Sequence, residues 1–261
     1  LYNSIVSTHF ILDILYTCTQ GVQEIESIGT NIDHVNGSGI LGTPVTLLLY
    51  RVIMFLVTSA VLYVQITTRS TRAFRYFTVW NWVAIIIFFF LASISSISAR
   101  VFKRRTAILD KIVASLFHVI LPMTLFIDII TWTILVPMLM AQSDPERVAH
   151  WRNVMFSTIS YMQHGGNAII MFGEFLLNRI PHSDNWSHGV VSLWNILFGL
   201  WSLFFFWMTG QAIYPFLDAK KPSISLALVG LFVSGLLCSY LIQWLLRLKH
   251  KHLCTSERKQ L

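Results

Sequence analysis

The stretch Val83-Ala84-Ile85-Ile86-Ile87-Phe88-Phe89-Phe90-Leu91 carries no charge. It sits in one of six apolar runs, each long enough to cross a bilayer as a helix, which takes ~20 residues. The runs read as roughly 44–66, 75–99, 108–141, 154–177, 190–212 and 223–247. Most are apolar on both faces, so the strict alternation of a membrane β-barrel is absent. The expectation is an all-α fold, a polytopic membrane helical bundle with about six transmembrane helices. Composition agrees: 55% of residues are hydrophobic and 12% charged, against about 25% charged in soluble domains. Soluble domains, disorder and a coiled coil are excluded as the main content, and three Cys are too few for a disulfide scaffold. The net charge of +7 lies in short clusters between the apolar runs. It forms no single basic face, so no nucleic acid is expected as a partner.

Three segments follow. Residues 1–43 hold no Lys or Arg, four acids (Asp13, Glu24, Glu26, Asp33) and a Gly-rich end. They read as an acidic interfacial or weakly folded segment. A secretory signal would begin with basic residues. Residues 44–250 form the transmembrane domain and 251–261 a basic tail. The third run is too long for one straight crossing, so it must tilt or emerge at one end. Pro122 and Pro137 mark kinks there, since each lacks a backbone donor. With six spans, eleven Lys and Arg fall on the side of both termini and seven on the other. That favours cytosolic termini. The sequons Asn36-Gly37-Ser38 and Asn185-Trp186-Ser187 then fall on the cytosolic side and stay silent. Endoplasmic reticulum and plasma membrane both remain open, and no internal repeat suggests a repeat-built transporter.

Polar groups inside hydrocarbon are costly and therefore informative. Arg51 lies near the start of the first run and could snorkel to the interface. His118 and Asp128 are ten residues apart, nearly three turns, on roughly one face. His118 reads as a neutral His bonded to a neighbouring helix. Asp128 reads equally as a group that orients a His or as a buried structural acid. Gln163-His164-Gly165-Gly166-Asn167 is the most informative string. Paired glycines allow close helix approach, or a pocket beside the His. Glu174 lies ten residues beyond His164, ~15 Å along a helix, too far to be its direct partner. Thr78 and His164 both lie nearer the starts of runs two and four, which run parallel. A Thr–His pair at one membrane face is thus geometrically allowed, and a hydroxyl nucleophile needs such a base. No Gly-x-Ser-x-Gly, His-Glu-x-x-His, Walker A or Gly-x-Gly-x-x-Gly motif competes, and the His residues have no metal-ligand spacing.

Three segments carry a resemblance. Phe74-Arg75-Tyr76-Phe77-Thr78 leads into a Phe-rich span. Gln163-His164 precedes Glu174, and Tyr214-Pro215-Phe216-Leu217-Asp218 follows run five. In that order they resemble the androgen-induced-gene family, which includes the androgen-dependent TFPI-regulating protein. The stretch from Leu121-Pro122 to Trp132 is similar to that family's third long helix, and the likeness covers roughly 74–250. The family consists of membrane threonine hydrolases that cleave fatty-acid esters of hydroxy fatty acids. The resemblance implies Thr78 as nucleophile and His164 as its base. Two departures bear on pocket shape and substrate. Tyr161 stands where the family has a second His, and Gly165 and Gly166 replace small hydroxylic residues. The His-Gly-Gly-Asn-Ala and Tyr-Pro-Phe-Leu-Asp strings also resemble rolling-stone-type membrane proteins, linked to cell fusion.

The expected function is an intramembrane lipid-ester hydrolase with catalytic Thr78 and His164. Asn167 is an oxyanion or positioning candidate, and Asp128 and Glu174 are supporting ones. The substrate is a lipid arriving from the bilayer, and no cofactor or metal is called for. Two alternatives stand beside it. One is a non-catalytic protein of adhesion, fusion or scaffolding, in which Thr78 and His164 only pack helices. The other is a small transporter using Asp128, His164 and Glu174.

Overall fold

The computed structural model describes residues 33–36, 39–41, 43–102, 107–183 and 186–258. Most of the acidic segment 1–43 therefore lies outside the described residues, as do Gly37, Ser38 and Asn185 of the sequons. The described residues form helices and turns, with no strand among them. We label the helices α1 (Pro44–Arg69), α2 (Phe77–Arg100), α3 (Ala107–Met140), α4 (Pro145–Met155), α5 (Thr158–Tyr161), α6 (Asn167–Leu177), α7 (Trp186–Thr209) and α8 (Ile224–Arg258). Five of them, α1, α2, α3, α7 and α8, are long and apolar enough to cross a membrane. The chain is an integral membrane protein with an all-α polytopic bundle.

Local chemistry sets the ends of α1. Thr43 caps it: its hydroxyl accepts the Thr46 amide at 3.3 Å, and the Thr46 hydroxyl accepts the Thr43 amide at 3.3 Å. Pro44 occupies the first turn, where a missing donor costs nothing. The helix stops at Ser70, whose φ is +69°, outside the range a helix can continue. A 3-10 turn, Thr71–Arg75, then leads into α2.

The third helix is the hub. The apolar stretch of α3 is 61% buried, against 17% for α1 and α8. It packs against α2, α6, α7 and α8. Trp82, Phe88 and Phe89 of α2 fill the space around Phe117 and Ile120, with Met171 closing it from α6. The outer faces of α1 and α8 expose Leu49, Ile53, Leu56, Val229, Val233 and Leu237. Apolar surface of that extent belongs in lipid. At ~1.5 Å per residue, the 34 residues of α3 outrun a ~30 Å hydrocarbon layer. Its backbone passes Pro122 as helix and widens into a π-type turn at Thr131–Leu135. There the Val136 amide reaches back to the Thr131 carbonyl. Pro137 follows at once. It has no amide to continue the ladder and its ring crowds the preceding turn, a recognised cause of such local widening.

The fourth apolar run is not one of the five continuous spans. It forms α5 and α6, joined by a break at Met162–Gly166 where His164 (φ −129°, ψ 33°) leaves helical geometry. The broken pair still runs antiparallel to α1. Gln163 meets Gln65 near one end, the Tyr50 hydroxyl donates to the Ile170 carbonyl at 2.6 Å, and Glu174 meets Arg51 near the other.

Arg51 does not snorkel. Its side chain is fully buried, and it binds Glu174 Oε1 through Nε at 3.0 Å and Nη2 at 2.5 Å. It also donates to Asn36 Oδ1, Ser96 Oγ and the Val35 carbonyl at 3.0, 2.8 and 2.9 Å. A guanidinium has five donors, and here a second helix and an N-terminal turn supply acceptors before the interface is reached. Asn36 is thereby tied into the bundle, which leaves the first sequon's side chain occupied. Lys249 closes the C-terminal end of α6 with bonds to the Phe175 and Asn178 carbonyls at 2.8 and 3.1 Å.

Gly235 of α8 faces Asn195 of α7 so closely that a Cβ there would collide with the Asn195 amide nitrogen. Small residues at such crossings let helices approach. Gly235→Val should therefore destabilise the bundle by about 1–3 kcal/mol through overpacking. It would be read as a lower midpoint in detergent thermal unfolding, and an unchanged midpoint would mean the crossing is loose.

Candidate functional site

Two local irregularities meet at His164. Gly165 and Gly166 have no side chains to hold α5 and α6 in one line, and the break there turns the imidazole toward α3. On the facing side lies the wide turn of α3. Thr131 Oγ1 and His164 Nδ1 are hydrogen-bonded at 3.0 Å, and the Trp132 indole N–H donates to the His164 carbonyl. Trp132 also stacks on Tyr161, with ring centroids 5.8 Å apart and planes 18° apart. With its proton on Nδ1 and donated to Thr131, the ring keeps a free lone pair on Nε2. Wide turns of this kind recur at functional sites.

Thr78 sits in the first turn of α2. Tyr76, the residue before the helix, makes no side-chain cap. The phenol of Tyr214 does that work from the connection between α7 and α8. Its oxygen accepts the Phe77 amide at 3.2 Å and lies beside the Thr78 hydroxyl and amide. Burial pushes the Tyr214 phenol up to about 12, against the opposing pull of its bonds to Thr78 and Phe77. It is a neutral O–H at physiological pH and can donate a hydrogen bond.

Thr78 and His164 line one cavity of about 740 Å³, within the size range of ligand sites. Each is 8% exposed. No hydrogen bond between described residues joins them directly; the cavity lies between the elements that carry them. Its walls come from the α1–α2 connection, α4 and the approach to Tyr214-Pro215. Arg69, Arg72, Arg75 and Arg147 are among the lining residues. A second cavity of about 230 Å³ is lined mainly by Phe126, Ile127, Phe198, Leu203, Leu231 and Phe232. Thr78, Leu135 and Tyr214 line both. Thr78 therefore stands where a polar chamber adjoins an apolar one.

The remaining sequence candidates lie elsewhere. Asn167 is 1% exposed, and its Oδ1 accepts the Ala168 amide at 2.9 Å. It lines neither cavity. Its carboxamide comes close to Asp128, yet neither Asp128 oxygen makes a hydrogen bond of normal geometry, and both are buried. Glu174 is the partner of Arg51 at the far end of α6 from His164. His118 bonds Gln243 of α8 at 3.2 Å through Nδ1, its buried Nε2 has no partner among the described residues, and it lines neither cavity. Among the described residues no group of three or more His, Cys, Asp or Glu gathers to hold a metal.

Sequence reasoning did not single out Thr131, the Gln65–Gln163 amide pair at 2.8 and 3.2 Å, or the arginines as one group. Thr131 gave no signal, since a hydroxyl in an apolar run is ordinary. Tyr214 was visible only as part of the string after run five.

Compared with models of protein families, with curated proteins and with solved structures, the chain matches none of them. What fold and site define is a class: a polytopic α-helical membrane protein with a buried Thr and His on one cavity.

Proposed function

We propose that the protein is an intramembrane lipid-ester hydrolase of the kind the androgen-induced-gene resemblance implies. The observation that carries this reading is the convergence of Thr78 and His164, far apart in sequence, on one cavity beside an apolar chamber. Thr78 Oγ1 attacks the ester carbonyl, and His164 Nε2 takes its proton, directly after a side-chain shift or through one water. The C–O bond to the alcohol breaks and His164 returns the proton to that oxygen. Water then cleaves the acyl group from Thr78 with His164 again as base. Thr131 orients the ring, and the tautomer that donates Nδ1–H to it presents Nε2 as the base. The Tyr214 phenol, beside Thr78, is the donor that would meet an oxyanion.

In this reading the substrates are fatty-acid esters of hydroxy fatty acids, arriving laterally from the bilayer. The protein resides in the endoplasmic reticulum or plasma membrane with both termini cytosolic, and the cavity opens on the opposite side.

Purified protein in detergent should hydrolyse such an ester. Thr78→Ala and His164→Ala should each lower turnover by about 10²-fold or more, with helicity and thermal midpoint retained. Wild-type inactivity across a panel of esters, or full activity in Thr78→Ala, would sink the mechanism.

A further inference from the structure

The larger chamber has an unbalanced charge. Arg69, Arg72, Arg75, Arg147 and His150 line it, and among the described residues no Asp or Glu does. Two of the arginines have internal partners. Arg69 donates to Ser157 Oγ at 2.5 Å, and Arg147 pairs with Asp144 at 3.2 Å in an exposed contact. The other two are less satisfied. Arg75 donates to the Tyr76 hydroxyl at 2.7 Å, but its Nε is buried with no partner among the described residues. Arg72 is exposed at the chamber wall and makes no hydrogen bond or ion pair among the described residues. Guanidinium donors left open around a cavity suit a planar or tetrahedral oxyanion, which they bind as charge-assisted forks.

The smaller chamber is almost wholly apolar. Its wall includes Leu200 and Leu203, which are also exposed on the outer face of α7. It is therefore accessible from the lipid side. The two chambers adjoin at Thr78, Leu135 and Tyr214. One molecule spanning both would have a charged oxyanion at one end and a hydrocarbon chain at the other.

We infer that the joined chambers bind an anionic lipid, with its carboxylate or phosphate against Arg72 and Arg75 and an acyl chain between α7 and α8. As a statement about substrate it rests on the hydrolase reading and adds a direction: the acyl group lies in the apolar chamber and the anionic group on the leaving-alcohol side. As a statement about binding it stands without any turnover.

The test is equilibrium binding to the purified full chain in neutral detergent, with four probes: hexadecanoate, 1-palmitoyl lysophosphatidate, hexadecanol and inorganic phosphate. Hexadecanoate or the lysophosphatidate should bind at least about tenfold tighter than hexadecanol, from charge-assisted bonds alone. Whichever anion binds more tightly names the head group. The combined Arg72→Gln and Arg75→Gln variant should erase that preference. Arg152→Gln, a charge loss outside the chamber, should keep it, and thermal midpoints serve as fold controls. Equal affinity for the alcohol, inorganic phosphate binding as tightly as the lipids, or an intact preference in the double variant would each overturn the proposal. Failures are separable. Tight anionic-lipid binding without hydrolysis leaves this site standing and removes the Thr–His chemistry. Hydrolysis of neutral and anionic esters at equal kcat/KM does the reverse.

Discussion

Glu174→Gln should lower the stability of the bundle by about 3 kcal/mol or more. Arg51 is fully buried and, among the described residues, takes its countercharge from Glu174 alone, through Nε and Nη2. An amide keeps one acceptor near the guanidinium but removes the charge. The remaining partners, Asn36, Ser96 and the Val35 carbonyl, are neutral. An unpaired buried cation is the costly outcome, more than the loss of any one bond. Replacing both members, Arg51→Met with Glu174→Met, should cost less than the sum of the two single changes, because no bare charge remains. Unfolding in detergent, by heat or denaturant, reads all four corners of the cycle. Additive losses would show that the pair is not coupled.

Tyr214→Phe should reduce ester turnover by about 10- to 10³-fold with little change in KM. The ring would keep its packing against Phe198 and Phe216. Only the hydroxyl would go, and with it the acceptor of the Phe77 amide and the neighbour of Thr78. A purely structural cap would appear as a stability loss of about 1 kcal/mol, read as a lower thermal midpoint, with kcat retained. The pH profile separates the roles further. Because burial holds the phenol neutral up to about 12, the wild-type rate should show no break near 10, the ordinary phenol value. A break there, absent from Tyr214→Phe, would mean that the phenol titrates freely and does not donate as proposed.

Much of the bundle was legible in the sequence, because hydrocarbon length is read directly from charge-free runs. The first run, read as beginning at about 44, matches a helix that starts at Pro44. What could not be read was pairing across distance. Arg51 looks like an interfacial side chain until Glu174 and Asn36 are brought beside it, and nothing local announces either. The fourth run shows the same limit. Its glycines suggested close helix approach or a pocket, but not the break at His164, which takes shape against the wide turn of α3, whose cause lies at Pro137. For the site, Thr78 and His164 could be placed at one membrane face by topology alone. Their shared cavity depends on α4 and on the loop carrying Tyr214, both of which are ordinary polar connections in the sequence. Asn167 shows how helical spacing misleads: it is one turn from His164 only if the helix is continuous, and the break falls between them.

The arginine-lined chamber also bears on how such a chain is oriented as it is made. Seven Lys and Arg fall on the connections at the chamber end of the bundle, against the eleven that the six-run reading of the sequence assigns to the side of the termini. Arg69, Arg72, Arg75 and Arg147 line the chamber, so three of the seven remain outside it. Insertion machinery weighs every loop cation alike, whatever its later use. A cavity built from arginine thus blurs the charge asymmetry that sets topology. Neutralising Arg72 and Arg75 would sharpen the insertion signal while removing two of the chamber's four arginines, so orientation and ligand recognition place opposite demands on the same side chains.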